Sequence, residues 1–351
     1  MAPGGTWMSS TERFLTRSER YAVTPLPFIP FSGTGGEALN QQGVVAGGIA
    51  HPDGSVCVAE WSNGVLSRVG VPPGVPSLEF NRPRVFGINS SRVIVGTVHT
   101  PAGDLPSRAF ICDRGRFIVL PLADPTDLGG AAIGINTRGE VVGYDHTSSH
   151  TTTGWLWRNG VYSRLPVAGI NTAALGINST GTIIGNRSLG LIRRILTAQF
   201  SRRIEWGYVV SDRTRYLPGF VYAINDLGEA AGGWRSNGEA RAAVFTNGAA
   251  RVIVTMPSSA VGINSSAHVV GSYAPAHDTQ RRLFIWSTNS GAFDLTPDWY
   301  RSAQAAAIND RGDVLGFGET VGGKSEYFLL TPDVQGAVAP KALLRSAPLD
   351  R

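Results

Sequence analysis

The chain has 351 residues, a net charge of +5, 44 glycines and only 16% charged residues. Abundant glycine with modest charge fits a turn-rich all-β protein better than a helical one, and 42% hydrophobic residues exclude a disordered chain. Cys57 and Cys112 offer neither a disulfide framework nor zinc-type spacing, and no run of 18 apolar residues is present to span a membrane.

Met1 to Pro30 lacks the apolar run of a signal peptide. The expectation is a cytoplasmic protein, or a secreted one if a signal has been removed. Residues 1–18 precede any repeat and are expected to be flexible, as are residues 334–351. Arg20-Tyr21-Ala22-Val23-Thr24-Pro25-Leu26 reads as a solitary strand. From there a repeat takes over. An apolar residue, Asn, a short polar turn, an apolar pair and Gly appear as Leu39-Asn40 to Gly47 and Ile88-Asn89 to Gly96. The next copies are Ile135-Asn136 to Gly143 and Ile177-Asn178 to Gly185. Ile224-Asn225 to Gly232, Ile263-Asn264 to Gly271 and Ile308-Asn309 to Gly316 follow. Successive asparagines lie 39 to 49 residues apart.

Each copy is followed by a short aromatic or apolar strand and a turn, as at Gly154-Trp155-Leu156-Trp157-Arg158-Asn159-Gly160 and Ala243-Val244-Phe245-Thr246-Asn247-Gly248. A Leu-bearing strand comes next, at Leu120, Leu165, Leu217 and Leu295. Four short strands per 40–50 residues is the size of a propeller blade. The expected fold is all-β: a seven-bladed β-propeller of four-stranded antiparallel blades over residues 19–333. The last blade runs out after Tyr327-Phe328-Leu329-Leu330. The N-terminal strand is expected to close it as the outer strand and so hide two edges. The repeat resembles that of the HAF repeat family, described as extracellular repeat proteins, which reads A-x-x-I-N-x-x-G-x-V-V-G and then A-F-x-W-x-x-G-x-x-x-L. The resemblance covers nearly the whole chain, with Ala132 to Gly143 close to consensus. It implies the repeat architecture and carries over no single reaction.

Two residues before each Asn stands Ala or Gly, and four before stand Gly36, Val85, Ala132, Ala174, Val221, Ala260 and Ala305. One face of that strand is therefore small, as expected of an innermost strand near the axis. The Asn is expected to open the turn to the second strand by accepting a backbone N–H two residues on. Carboxylates are missing from several of these turns, which disfavours a calcium ring. The Trp and Phe residues of the third strands are expected in the core.

The turns joining first to second strands are short and formulaic. The loops joining second to third strands vary and lie at the opposite end of the ring, so function is expected there. Five of six histidines, His51, His99, His146, His150 and His277, fall in those loops; His268 does not. His51, His99, His146 and His150, with Tyr144 and Tyr222, are the candidate acid–base groups. Arg84, Arg235, Trp234, Tyr273, Arg301, Gln304 and His277 are the candidate ligand-binding groups, the arginines for an anion. No cofactor is required. A divalent metal on two or three His with Asp is the second reading of the histidines, although no tight metal motif is present, and ordinary surface histidines the third. Residues 186–206 form the largest insertion, with Leu189, Ile192, Ile195, Leu196 and Phe200 at helical spacing, as for a lid over the channel mouth, a partner-docking or membrane-surface element, or a helix packed on blade edges.

The expected function is acid–base proton transfer (elimination, cyclisation or isomerisation) on a small anionic or polyoxygenated substrate at the channel mouth. The alternative is a non-catalytic propeller that binds carbohydrate or another protein. Nucleic acid is disfavoured, because no aromatic-basic motif accompanies the arginines.

Overall fold

The computed structural model describes residues 15–16, 21–29, 37–50, 56–73, 83–98, 107–169, 171–188, 205–236, 239–275 and 280–333. Most of the 186–206 insertion, including its helical spacing, lies outside them, as do residues 334–351. Among the described residues no helix is long and apolar enough to cross a membrane.

The fold is all-β, with chain-adjacent strands paired antiparallel in groups of four. The third group shows the pattern: Gly129–Ile135, Val141–His146, Thr152–Arg158 and Val161–Arg164. It shares an eight-stranded sheet with the following group, joined to it through a single parallel pair, Thr152 with Asn171. The last group draws only three strands from the end of the chain. Its fourth is the N-terminal Tyr21–Leu26, antiparallel to Ser325–Pro332, with Tyr21 opposite Pro332 and Leu26 opposite Tyr327. Leu15–Thr16 pairs in parallel with Phe293 and Asp294.

Apolar side chains meet between the groups. Val58 and Ala46 of the first group pack with Phe110 and Ile94 of the second. The same arrangement recurs at each junction, and one cluster joins last to first through Leu315, Tyr327 and Leu329 with Val45, Cys57 and Ala59. The first strands approach most closely. A methyl added at Gly134 would lie 3.2 Å from the Gly176 Cα, and one at Gly262 3.2 Å from the Ile308 nitrogen. Six first strands carry a bulge two to four residues before the asparagine, as between Ala132 and Gly134. Each bulge inserts one extra residue, so that Ala132 packs toward the preceding group and Gly134 toward the following one, a correction to the single small face read from the sequence.

The second-strand glycine and third-strand aromatic of the repeat are cross-strand partners. Gly96 faces Phe110, Gly143 Trp155, Gly185 Tyr208, Gly271 Phe284 and Gly316 Phe328. The ring lies over the glycine, where a Cβ would collide with it. The first and fifth groups have Ala59 and Ala243 at the aromatic position. In the first group the ring comes from elsewhere, Phe28, just past the closing strand, covering Gly47; in the fifth, Gly232 meets the backbone of Phe220 and Val221 instead.

Tyr208 is the exception in chemistry, its hydroxyl buried without a hydrogen-bond partner where four other groups carry Phe or Trp. Tyr208→Phe is expected to raise stability by about 1 kcal/mol in urea denaturation. Gly143→Ala, whose methyl would fall 2.0 Å from the Ala131 carbonyl oxygen, is expected to lower it by about 1–3 kcal/mol; equal midpoints for the wild type and both variants would contradict this packing.

Candidate functional site

The seven repeat asparagines are all buried. Each side-chain oxygen accepts backbone N–H groups of its own turn: Asn89 accepts those of Ser91 and Val93 at 3.0 and 2.9 Å. Each side-chain N–H donates to the backbone carbonyl of the next repeat's asparagine. Asn40 donates to Asn89, Asn89 to Asn136, Asn136 to Asn178, Asn178 to Asn225, Asn225 to Asn264 and Asn264 to Asn309, each at 3.1 Å. Asn309 donates to Asn40, again at 3.1 Å, across 269 residues of sequence. The turn role is the one read from sequence; the stitch to the next repeat was not anticipated. In three repeats an acid four residues on, Glu140, Glu229 or Asp313, also accepts from the same amide nitrogen.

These asparagines surround a bowl of about 180 Å³. Its inner wall is Leu39 with Ile88, Ile135, Ile177, Ile224 and Ile263, the residues just before the asparagines. Its rim is the residue just after each: Gln41, Ser90, Thr137, Ser179, Asp226, Ser265 and Asp310. Neighbouring turns are tied across the rim. Ser179 N–H donates to Asp226 at 2.8 Å, Ser265 N–H to Asp310 at 2.7 Å, and Asp310 N–H to the Gln41 side-chain oxygen at 2.7 Å. The bowl thus lies among the formulaic turns, at the end opposite to the loops where sequence reasoning sought function. The signal for it was the repeated aliphatic-Asn-polar triplet, with Leu39 in the first copy and Ile in the other six, legible as a turn but not as a shared surface.

At the loop end the candidates scatter. His51, His99 and His277 lie outside the described residues. His146 and His150 are exposed; His146 meets Tyr144 edge-on with ring centroids 5.4 Å apart. Arg84 sits close enough to Tyr144 to favour its phenolate, but burial dominates and raises the phenol. Tyr222 is exposed and packs against Phe220, over which Arg235 also lies at 5.6 Å. Trp234 packs into the junction between the fourth and fifth groups. Tyr273 is buried and donates to Asp294 at 3.0 Å, beside Arg282 at 2.6 Å from the same oxygen; burial first, then that carboxylate, raises its phenol. Arg301 is paired with Glu319, and Gln304 lies half-buried opposite Phe317. Tyr144, His146 and Arg84 therefore gather, whereas Tyr273 and Arg301 are each tied to a carboxylate of their own group. No set of three or more His, Cys, Asp or Glu among the described residues is placed to hold a metal.

One buried acid escaped the sequence reading. Glu37 lies opposite Gly47, where the other six groups place Val85, Ala132, Ala174, Val221, Ala260 or Ala305 opposite the equivalent glycine. Counting back from the asparagine assigned that place to Gly36, but the first group pairs without the bulge of the others and so brings Glu37 into it. Neither carboxylate oxygen makes a hydrogen bond of normal geometry. Burial pushes the group up to about 8, against the opposing pull of the Tyr327 hydroxyl and the Arg84 guanidinium.

No protein-family model matches the sequence, and comparison with curated proteins finds no match. Solved structures do resemble it. The β-propeller domain of the Trilobed protease from Pyrococcus furiosus aligns with TM-score 0.57 and 11% identity over 89% of this chain and 100% of that one. A chain of the Mitotic Checkpoint Complex aligns with TM-score 0.52 and 14% identity over 93% and 96%. A puromycin-hydrolyzing peptidase from Mycobacterium tuberculosis aligns with TM-score 0.54 and 12% identity over 94% of this chain and 54% of the peptidase, about half its length. At such identities the likeness shows the fold alone, that of a β-propeller. The expected lyase, cyclase or isomerase is corrected here: the similar structures are propellers of peptidases and of a checkpoint complex. The physical reason lies in the groups themselves, exposed imidazoles at one end and arginines and tyrosines tied up in ion pairs and packing.

Two outcomes follow. Asn178→Ala leaves the Thr182 N–H without its acceptor and removes one of the two donors to the Asn225 carbonyl, and is expected to lower stability by about 1–3 kcal/mol. Asn178→Asp, which accepts but cannot donate when ionised, should be similarly weak at neutral pH and recover in acid; an unchanged urea midpoint would show that the stitch contributes nothing. Glu37 holds its proton more tightly folded than unfolded. Its contribution is full below pH about 4.5 and lost as pH rises through about 8, on the order of a few kcal/mol. Glu37→Gln should flatten the stability profile across that window.

Proposed function

We propose that the chain is a seven-bladed β-propeller over residues 19–333, of the HAF repeat type, that works as a non-catalytic binding module for a protein partner. Closure into one ring is supported by the asparagine circuit and by the apolar cluster joining last group to first. The observation that carries the binding reading is the bowl: every repeat contributes to one polar-rimmed, aliphatic-walled depression. Such a site has polar groups for recognition and no base held against a nucleophile. Its lining carries no aromatic face on which a sugar ring would stack, which favours protein over carbohydrate. Its small volume suits one protruding side chain rather than a long segment. The checkpoint-complex propeller, which sits in a protein assembly, is a precedent for the use of the fold.

The test is a peptide array and a glycan array probed with the full chain, with Thr137→Trp and Ser90→Trp at the bowl rim, and with His146→Ala at the opposite end. Peptides retained by the wild type and by His146→Ala, and lost by both rim variants, are expected. Capture of glycans in place of peptides, or peptide binding that survives the rim variants, would overturn the reading.

A further inference from the structure

The rim of the bowl is not electrically neutral. Asp226 and Asp310 belong to alternate repeats and flank Ser265, while no Lys, Arg or His is among the lining residues. Both carboxylates are exposed but held. Asp226 accepts the Ser179 N–H at 2.8 Å; Asp310 accepts the Ser265 N–H at 2.7 Å and its hydroxyl at 3.0 Å. These bonds fix the acids to the rim and leave each with unused lone pairs. Each asparagine amide beneath them gives one N–H to the next repeat, and those of Asn136, Asn225 and Asn309 also face an acid of their own turn. Below the rim the lining is the buried asparagines together with Leu39 and five isoleucines. The complement of this arrangement is a cation at the rim with an apolar group pointing inward. A lysine side chain has the reverse polarity, since it would enter charge-first into the isoleucines. An α-ammonium beside a branched aliphatic side chain has the right order, and the volume of about 180 Å³ admits one such residue.

Resting on the binding reading above, we infer that the bowl captures the free N-terminus of a partner chain whose first residue is aliphatic, ammonium between Asp226 and Asp310 and side chain among the isoleucines. Capture of a terminal amine by fixed acceptors is a known mode of peptide recognition.

The experiment is calorimetric titration of the full chain with Leu-Gly-Gly amide, its N-acetyl form, isopentylamine and isopentanol. Leu-Gly-Gly amide should bind, and acetylation should weaken it at least 10-fold. The double variant Asp226→Asn, Asp310→Asn, which keeps an acceptor oxygen for the Ser179 and Ser265 N–H groups, should weaken it similarly while leaving the thermal midpoint unchanged. Higher salt should weaken the free amine and not isopentanol. Acetylated and free peptide binding alike, with both lost in Thr137→Trp, would overturn the ammonium inference and leave the bowl as a binding site. Binding indifferent to Thr137→Trp would remove the bowl as well. Isopentylamine matching the peptide would overturn the partner chain in favour of a free amine.

Discussion

The fold turns on one side-chain amide used twice. In each repeat an asparagine oxygen closes its own turn, and the nitrogen of the same amide reaches the backbone carbonyl of the next repeat's asparagine. A hydroxyl or carboxylate could serve the turn, but an amide places its acceptor and its donors on separate atoms of one rigid plane, aimed in different directions. The two uses are coupled: turn geometry aims the donor, and the donor sets the distance to the next turn. Because every member is buried and bonded to its neighbour, the circuit also fixes the bowl it encloses. Loss of one member would leave polar groups without partners in a place water does not reach.

Outside that circuit the packing obeys a second constraint, the shortage of room near the axis. Small residues let the first strands touch, and second-strand glycines receive the third-strand rings. Where a repeat lacks its ring, as at Ala59, the chain imports one, Phe28, from the stretch that follows the closing strand. The junction of first and last groups is thus assembled from both ends of the chain, and it also holds Glu37. A carboxyl at a position elsewhere filled by Val or Ala makes that seam the pH-sensitive one.

The bowl and the loop end divide the surface into two chemistries. The loop end is rich in Arg, His and aromatic groups, but several of these serve local packing, such as Arg235 over Phe220 and Tyr273 on Asp294. The bowl is built from the least conspicuous residues of the repeat, and its polarity arises from the single position after the asparagine. Residue type drew attention to histidines, and geometry moved it to a ring of Ser, Thr, Asp and Gln. Counting His, Tyr and Arg in variable loops measured the inventory of groups, not their convergence.

Periodicity by itself determined the all-β repeat, the four strands per copy, the buried third-strand aromatics and the pairing of Tyr21–Leu26 with the last strand. These follow from local rules, since strand alternation, turn chemistry and side-chain size act within a few residues. The asparagine circuit, the bowl, the missing bulge that puts Glu37 in the place read for Gly36 and the borrowed Phe28 were decided only by tertiary structure. Each depends on which groups from distant repeats come within bonding distance, as when Asn309 meets Asn40 across 269 residues. A one-residue change in strand register, invisible in composition, is enough to place a carboxylate where a methyl was expected.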